Sequence, residues 1–278
     1  MAFQVIDGYQ TEAWQGFLRD SDGSAQAPWA PADEGFFHVG KGAPEEDKNR
    51  GTKRWQAAQA AEAEFWRGWR QNVLYQHVGL TEFWEDVVNK TGGLLPSGRV
   101  LDIGCGPVSV LNFCRGEGMV PIGLDPLGET YARESILESK EGYQNIPIIA
   151  LPAEKLPFDD GSLDHMICFN VLDHVSDAPA VLAEMVRVLK SGGTLRVYVH
   201  TFARWIRKFL FFDRPHTYHW HHREFMDLLE KAGFQIEMDL EEPKTFDLPK
   251  GLIGKIKHFP YWVATKVAAT SYFKLKKP

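Results

Sequence analysis

The chain is poor in cysteine and has no long apolar run. Its 278 residues contain three cysteines, Cys105, Cys114 and Cys168, which are too few and too scattered for a disulfide framework or a zinc cage. Each lies in or beside an apolar run, so we expect buried, reduced thiols. No segment is long enough to span a bilayer, and the first twenty residues do not resemble a secretory signal. These absences predict a cytoplasmic protein.

An excess of positive charge is also missing. The net charge is −6, which argues against a surface that coats nucleic acid. The charge is unevenly distributed, because residues 248–278 contain seven lysines and no acidic residue. This basic tail carries +7 and leaves −13 for residues 1–247. The tail is either a solvated edge of the fold or a surface for a membrane or a polyanion.

The N-terminal third differs in composition from the rest of the chain. Residues 1–50 are rich in glycine and proline without a sustained period, which predicts an irregular arm. A helix is expected from about Thr52, and a shorter one from Thr81 to Lys90. The first helix presents one apolar stripe, made of Ala58, Ala61, Phe65, Trp66, Trp69 and Val73. We therefore divide the chain into an arm (1–50), a helical segment (51–95) and a domain (96–278).

Predicted strands and helices alternate beyond residue 96. Strands are expected at 99–103, 120–124, 147–151, 163–169, 194–200 and 234–240. Helices are expected to begin near Val108, Glu129 and Ala178, and a fourth to close at Gly233. A last strand at 261–267 would be antiparallel, although a helix fits there almost as well. This order is typical of an α/β protein with a doubly wound, mostly parallel Rossmann-like sheet.

The strongest chemical signal is the run R-V-L-D-I-G-C-G-P at 99–107. An apolar strand ends in Gly104 and Gly106, which let the backbone approach a ligand beside the free N–H groups of a helix start. Asp102 would repel a pyrophosphate but attract an ammonium group. Asp125, nineteen residues after Gly106, can hold both hydroxyls of a ribose. Together these residues suit an adenosine that carries an amino acid.

Five blocks of sequence resemble the core of the class I S-adenosylmethionine-dependent methyltransferases, in particular the branch that acts on small molecules. They are L-D-I-G-C-G-P, I-G-L-D, A-E-K-L-P-F-D-D-G-S-L-D, F-N-V-L-D-H-V and V-L-K-S-G-G-T-L, in order across 99–200. The resemblance implies S-adenosylmethionine as cofactor and S-adenosylhomocysteine as product. It also implies methyl transfer by in-line displacement to O, N or C of a sugar, a quinone, a lipid-linked molecule or a natural-product precursor.

The resemblance also assigns roles to residues. The implied cofactor-binding residues are Asp102, Gly104, Cys105, Gly106, Asp125, Pro126, Ala153, Glu154 and Asn170. The glycine loop would line the methionine part and Asp125 the ribose. Ala153 and Glu154 would flank the adenine, and Asn170 would lie near the cofactor's amino acid.

Two positions depart from the family pattern, and three residues have a plainer interpretation. Val108 replaces a frequent third glycine, and Pro152 stands where many relatives have an aspartate that binds the adenine amino group. Asp125 could also cap the next helix, Glu154 could be a surface carboxylate, and Asn170 an ordinary turn residue.

Candidate proton acceptors lie in two segments after predicted strands, where sites gather in this fold. His174 follows the fourth strand, and the run H-T-Y-H-W-H-H at 216–222 follows the fifth. His174 and His219 are the candidate catalytic residues, with loop packing as the alternative. The run has no histidine pair at i, i+4 and no companion Cys or Glu motif, so the sequence predicts no metal site. The helical segment 51–95 would act as a lid.

Partners and competing functions stay open at this stage. Residues 202–212 and 248–278 combine cations with large apolar side chains, which suits peripheral membrane contact, a cover over the acceptor or a dimer contact. Nucleic acid is not an expected partner, and the oligomeric state is open. The alternatives to a small-molecule enzyme are an RNA-modifying methyltransferase, a nicotinamide-dependent oxidoreductase and a methyltransferase-fold partner protein without turnover. Asp102 and the absent third glycine argue against the oxidoreductase.

Overall fold

Strands and helices follow one another in the predicted order. The computed structural model describes residues 36–37, 53–71, 80–93, 97–113, 116–133, 146, 148–209, 216–244 and 267–278. The strands are β1 (Phe36–Phe37), β2 (Gly98–Ile103), β3 (Met119–Leu124), β4 (Ile148–Ile149), β5 (Leu163–Phe169), β6 (Leu189–Phe202), β7 (Gln235–Pro243) and β8 (Ala268–Lys276). The helices are α1 (Lys53–Gln71), α2 (Leu80–Lys90), α3 (Gly128–Arg133), α4 (Ala178–Val188) and α5 (His222–Ala232).

The strands form one sheet in the order β1-β4-β3-β2-β5-β6-β8-β7. All described pairs from β1 to β6 are parallel, and β8 is antiparallel to both of its neighbours. The chain leaves β2 toward one side of the sheet and later returns to the other side as β5. Ligands bind at such a switch point, beyond the carboxyl ends of the strands. The predicted Rossmann-like, mostly parallel sheet with an antiparallel last strand is confirmed.

The central strands are buried on both faces, as their continuous apolar runs predict. From β2 and β5, Leu101 and Met166 pack into a core with α4 and α5 on one face. Val100 and Phe169 pack on the other face, with α2. The sheet is therefore a rigid platform whose upper edge carries the loops of the site.

Local sequence explains where several helices begin and end. Asp177 caps α4 by accepting a hydrogen bond from the N–H of Ala180 (3.0 Å), and Gly233 ends α5 in a left-handed conformation. Strand β6 begins at Leu189, before the predicted start at residue 194. The helix expected near Val108 is only a 3₁₀ turn, Val110–Asn112.

The last strand lies just beyond the predicted 261–267. Residues 248–266 fall outside the described residues, but Ala268–Lys276 is β8, between β6 and β7. Two lysines of this segment have partners in the fold. Lys274 pairs with Glu237 (2.8 Å), and Lys277, just after the strand, donates a hydrogen bond to a main-chain carbonyl (2.7 Å). The described end of the basic tail is therefore an interior strand of the sheet and not a solvated edge.

The structure also bears on the arm, the apolar stripe of the first helix and residues 202–212. Of the arm 1–50, only Phe36–Phe37 is described, and it extends the sheet edge beside β4. Phe65, predicted in the apolar stripe, is 59% exposed. In 202–212, Trp205 is 60% exposed beside Arg207, which pairs with Glu224, and membrane contact there stays a prediction. Within the described segments, no helix combines the length and apolarity needed to cross a membrane.

Candidate functional site

An open cleft of about 620 Å³ lies at the carboxyl ends of β2, β3 and β5, under one face of α1. This volume includes space that is open to solvent. Seven of the eleven residues predicted from sequence lie on its wall: Gly104, Asp125, Pro126, Ala153, Glu154, Asn170 and His174. The other four, which lie off the wall, are Asp102, Cys105, Gly106 and His219. The cleft thus gathers residues from both halves of the sheet.

The loop after β2 requires its two glycines. Gly104 and Gly106 have φ angles of +66° and +59°, where other residues are strained. A Cβ on Gly104 would lie 2.2 Å from Cγ2 of Val171, and one on Gly106 would lie 3.1 Å from the Trp66 ring. Close packing against these side chains holds the loop backbone at the cleft floor.

Asp125 joins the end of β3 to this loop. Its Oδ2 accepts a hydrogen bond from the N–H of Gly106 (3.0 Å), and its Oδ1 accepts one from the N–H of Leu127 (2.8 Å). Burial raises the pKa of its carboxyl to about 6, against the lowering effect of these two N–H groups. Asp125 thus holds the turn that leads into α3, and its carboxylate still lies on the cleft wall. A ribose hydroxyl can reach it there, and that contact stays a prediction.

Asp102 lies beneath the loop, off the cleft wall. Asp102 is 3% exposed, and its carboxylate accepts a hydrogen bond from the hydroxyl of Ser109 (2.5 Å). The same hydroxyl caps the 3₁₀ turn after the loop. Burial raises the pKa of Asp102 to about 7. Cys105 is a free, buried thiol whose pKa is raised by burial. These two residues support the loop from below, and their predicted cofactor contacts stay predictions.

Asn170 at the end of β5 combines an unusual backbone conformation with a side-chain oxygen that is unpaired within the described part of the chain. It is the only described non-glycine residue with positive φ (59°), a conformation that asparagine tolerates. Its N–H donates to the carbonyl of Tyr198 (2.9 Å), whereas its buried Oδ1 has no hydrogen-bond partner among the described residues. Because a buried acceptor without a donor is costly, a ligand N–H group would complete this site.

Glu154 is held by the turn before α4. Its Oε1 accepts hydrogen bonds from the N–H (2.9 Å) and hydroxyl (2.6 Å) of Ser176. The carboxylate is therefore not a free surface group, because Ser176 holds one of its oxygens. It lies on the cleft wall beside Pro152 and Ala153, and the predicted contact of Glu154 with adenine stays a prediction.

Helix α1 closes one side of the cleft. Gln59 and Glu62 lie on the wall, and the buried Oε1 of Gln59 has no hydrogen-bond partner in the described part of the chain. Trp66 packs against Gly106 and donates through Nε1 to Glu62 (3.0 Å). This arrangement fits the lid that was predicted for residues 51–95.

The histidines separate into two groups. His221 caps α5, and His222 lies between Ser271 (2.9 Å) and Asp239 (3.3 Å), so both belong to the fold. His174 lies on the cleft wall, with the ring of His216 at 4.5 Å. The next ring, His219, is 6.1 Å from His216 and packs edge-on against Phe202. His174 is thus at the cleft, and His219 lies farther from it.

Comparison with known proteins identifies the central part of the chain. Residues 101–197 match the family described as "Methyltransferase domain", and this match spans β2, the glycine loop, Asp125 and the loop after β5. Residues 101–197 are therefore similar in sequence to a methyltransferase domain. The match covers the cleft apart from its α1 side.

Curated relatives and solved structures are similar to part of the chain. The chain is 32% identical over 120 residues to a demethylmenaquinone methyltransferase of Renibacterium salmoninarum, covering 43% of this chain and 48% of the relative. It is 34% identical over 124 residues to a ubiquinone/menaquinone biosynthesis C-methyltransferase of Xanthomonas axonopodis pv. citri, covering 43% and 49%. The chain spans about half the length of these curated relatives. A possible histamine N-methyltransferase of Thermotoga maritima shares the fold (TM-score 0.53, 20% identity, 81% of this chain and 100% of that chain).

Some residues of the candidate site were not found from the sequence. Gln59 and Glu62 share one face of α1, at spacings of three and four, with Trp66 of the predicted apolar stripe. That spacing was the available signal, but polar positions beside a stripe are usually solvated. Only the tertiary fold brings His200 and Asp173 close to His174 and His216. Burial lowers the pKa of His200 to about 3, which keeps its imidazole neutral.

Proposed function

We propose that the chain transfers a methyl group from S-adenosylmethionine to a small-molecule acceptor bound in the cleft. The observation that carries this proposal is the meeting of Gly104, Asp125 and Asn170 with His174 on one cleft wall. Residues suited to the methyl donor thereby lie beside a candidate proton acceptor.

The donor side fits S-adenosylmethionine in chemistry. Asp125 supplies acceptor oxygens for the ribose hydroxyls, and Asn170 supplies a buried oxygen for the donor's ammonium group. Gly104 lies on the cleft wall, where its positive φ turns the loop backbone. When bound, the donor supplies an electrophilic methyl group with a good leaving group. The chain's own task is then to orient the acceptor and exclude water.

The acceptor side would receive the proton that an oxygen, nitrogen or carbon nucleophile releases. His174 is the first candidate because it lies on the wall beyond Asn170. His219 is the second candidate, one ring farther away through His216. The names of the curated relatives favour a hydroxylated aromatic ring of the quinone-precursor type as acceptor.

Calorimetry with S-adenosylhomocysteine and with NADH tests the donor. We expect one equivalent of S-adenosylhomocysteine to bind and NADH not to bind. Asp125→Ala should abolish binding, and Asp125→Asn should weaken it while retaining an acceptor for Leu127. The matched control is Asp227→Ala on the exposed face of α5. Binding of NADH alone, or unchanged affinity in both Asp125 variants, would overturn the proposal.

A further inference from the structure

Three side chains that could bind a metal lie next to the cleft. Asp173 and His174 follow β5, whereas His216 belongs to the segment before α5. The carbonyl of Asp173 accepts hydrogen bonds from the N–H groups of Thr217 (2.6 Å) and Tyr218 (3.2 Å). These two main-chain bonds fix the second segment against the first and so determine where the three side chains meet.

Their ligand atoms form one compact group. One atom from each of Asp173, His174 and His216 lies within 4.8 Å of the others. Nε2 of His174 is 3.9 Å from Oδ1 of Asp173, and Nε2 of His216 is 3.8 Å from Oδ2. Both separations are too long for hydrogen bonds. A metal bound at about 2.1 Å from each atom would hold them roughly 3.0 to 3.5 Å apart, so side-chain movements of up to about 1 Å would complete the site.

The carboxylate of Asp173 needs a partner. Asp173 is 1% exposed, and its Oδ1 has no hydrogen-bond partner among the described residues. A buried carboxylate is costly unless a cation or hydrogen-bond donors compensate for its lost hydration. A bound cation would satisfy this oxygen, which is a second reason, beside the clustering, to expect a ligand here.

We propose that Asp173, His174 and His216 bind a divalent transition-metal ion, with zinc as the first candidate. Two imidazoles and one carboxylate are a ligand set that zinc adopts when it keeps a coordination position open. Imidazole ligands disfavour magnesium and calcium, which prefer oxygen. The sequence did not predict this site because its carboxylate lies more than forty residues before the histidine run.

The open position of such an ion would face the acceptor. His174 is the one member of the group on the cleft wall, so an ion bound to it lies at the edge of the cleft. This part of the inference rests on the proposed function. The ion would bind an acceptor through an oxygen atom, such as a phenol or enol hydroxyl, and would favour its ionised form. In that case His174 acts as a metal ligand and not as the proton acceptor. The acceptor class is then an oxygen-bearing ring or chain, as the quinone-precursor assignment requires.

Metal titration of the untagged full chain, after dialysis against a chelator, tests the site. Calorimetry with zinc chloride and elemental analysis give the stoichiometry, and visible absorption of a cobalt-loaded sample reports imidazole and carboxylate ligation. We expect one equivalent of zinc. Asp173→Asn and His216→Gln should each weaken zinc binding by at least ~100-fold. S-adenosylhomocysteine affinity should stay unchanged in both.

The matched control is His221→Asn, in the same histidine run but outside the group. Asparagine keeps the α5 cap, so this variant should bind zinc like the parent. Two results would overturn the inference: no stoichiometric zinc binding by the parent chain, or equal losses in His221→Asn and His216→Gln. Should Asp173→Asn fail to fold by circular dichroism, His216→Gln decides alone. Zinc binding without S-adenosylhomocysteine binding would instead overturn the proposed function and leave the metal site standing.

Discussion

The buried carboxylates on the two sides of the cleft differ in their hydrogen-bond partners. On the donor side, Asp125 accepts hydrogen bonds from Gly106 and Leu127, and Asp102 accepts one from Ser109. On the acceptor side, Asp173 has imidazoles at 3.8 and 3.9 Å, and one of its oxygens has no hydrogen-bond partner among the described residues. The buried carboxylates of the donor side are therefore satisfied by the chain's own N–H and O–H groups, whereas one oxygen of Asp173 is not satisfied by any group of the described segments. Changes on one side should leave the other intact.

Among the variants that test this comparison, Gly104→Ala should have the largest effect. The added Cβ overlaps with Val171 at 2.2 Å and forces alanine into a φ of +66°. We expect affinity for S-adenosylhomocysteine to fall by ~100-fold in calorimetry, because clash and strain displace the loop. Zinc binding at Asp173 should be unchanged, which would separate the two sides.

Gly161→Ala is the control for backbone strain alone. Gly161 has φ +59° but open space around its Cβ position. It should lose thermal stability without losing S-adenosylhomocysteine affinity. Adding Val171→Ala to Gly104→Ala should recover part of the binding. Equal losses of donor and zinc binding in Gly104→Ala would break the comparison between the two sides.

Asn170 lies where the two sides meet, and paired variants divide its roles. Asn170→Ala and Asn170→Gly both remove the buried amide oxygen, so each should weaken S-adenosylhomocysteine binding by about 10-fold. Only Asn170→Ala should also lower the free energy of unfolding, by about 1 kcal/mol, because glycine tolerates the φ of 59°. Thermal melts and calorimetry on both variants provide the measurement. Full affinity in Asn170→Gly would show that the residue serves the turn and not the ligand.

The donor side was more predictable from sequence than the acceptor side for a physical reason. Gly104, Gly106 and Asp125 act through main-chain geometry at the ends of adjacent strands, which leaves a local pattern at fixed spacing. Asp173 and His216 meet only because a carbonyl of one segment accepts N–H groups of another. No spacing along the chain encodes that contact.

The strands of the sheet also differ in how well their positions could be predicted from the sequence. Strand β5 occupies the predicted 163–169 because a buried parallel strand is a continuous apolar run bounded by turns. The position of β8 was misjudged, since the lysines of 268–276 resemble a solvated tail. Only the pairing of Lys274 with Glu237 and insertion between β6 and β7 make this basic segment an interior strand.

Donor affinity should depend on pH through the two donor-side carboxyls. Burial raises the pKa of Asp102 to about 7 and of Asp125 to about 6, both above the ordinary value near 4. Between pH 5.5 and 8 these groups lose their protons, and the resulting charge favours the cationic donor. We expect S-adenosylmethionine affinity to rise about 5-fold over this range. Adenosine lacks the ammonium and sulfonium groups of S-adenosylmethionine, so its affinity should depend much less on pH.

The stability of the unliganded protein should change in the opposite direction. Because the folded pKa values exceed the unfolded ones, these groups favour folding below about pH 4, and that contribution is lost as the pH rises through 6 and 7. The melting temperature should therefore decline over that range, and less steeply in Asp102→Asn. An Asp102→Asn profile identical to the parent's would contradict the assignment of a raised pKa to Asp102.

The smallest expected effect concerns the lid. Trp66→Ala removes the ring that packs against Gly106 and the donor to Glu62, so the loop loses its support from α1. We expect S-adenosylhomocysteine affinity to fall only about 3-fold, because the glycine loop keeps its bond to Asp125 and loses only part of its preorganisation. Phe65→Ala is the matched control, one residue away and 59% exposed, and should bind like the parent. Equal affinities in the two variants would place α1 outside the donor side and leave the methyltransferase core to bind the cofactor without it.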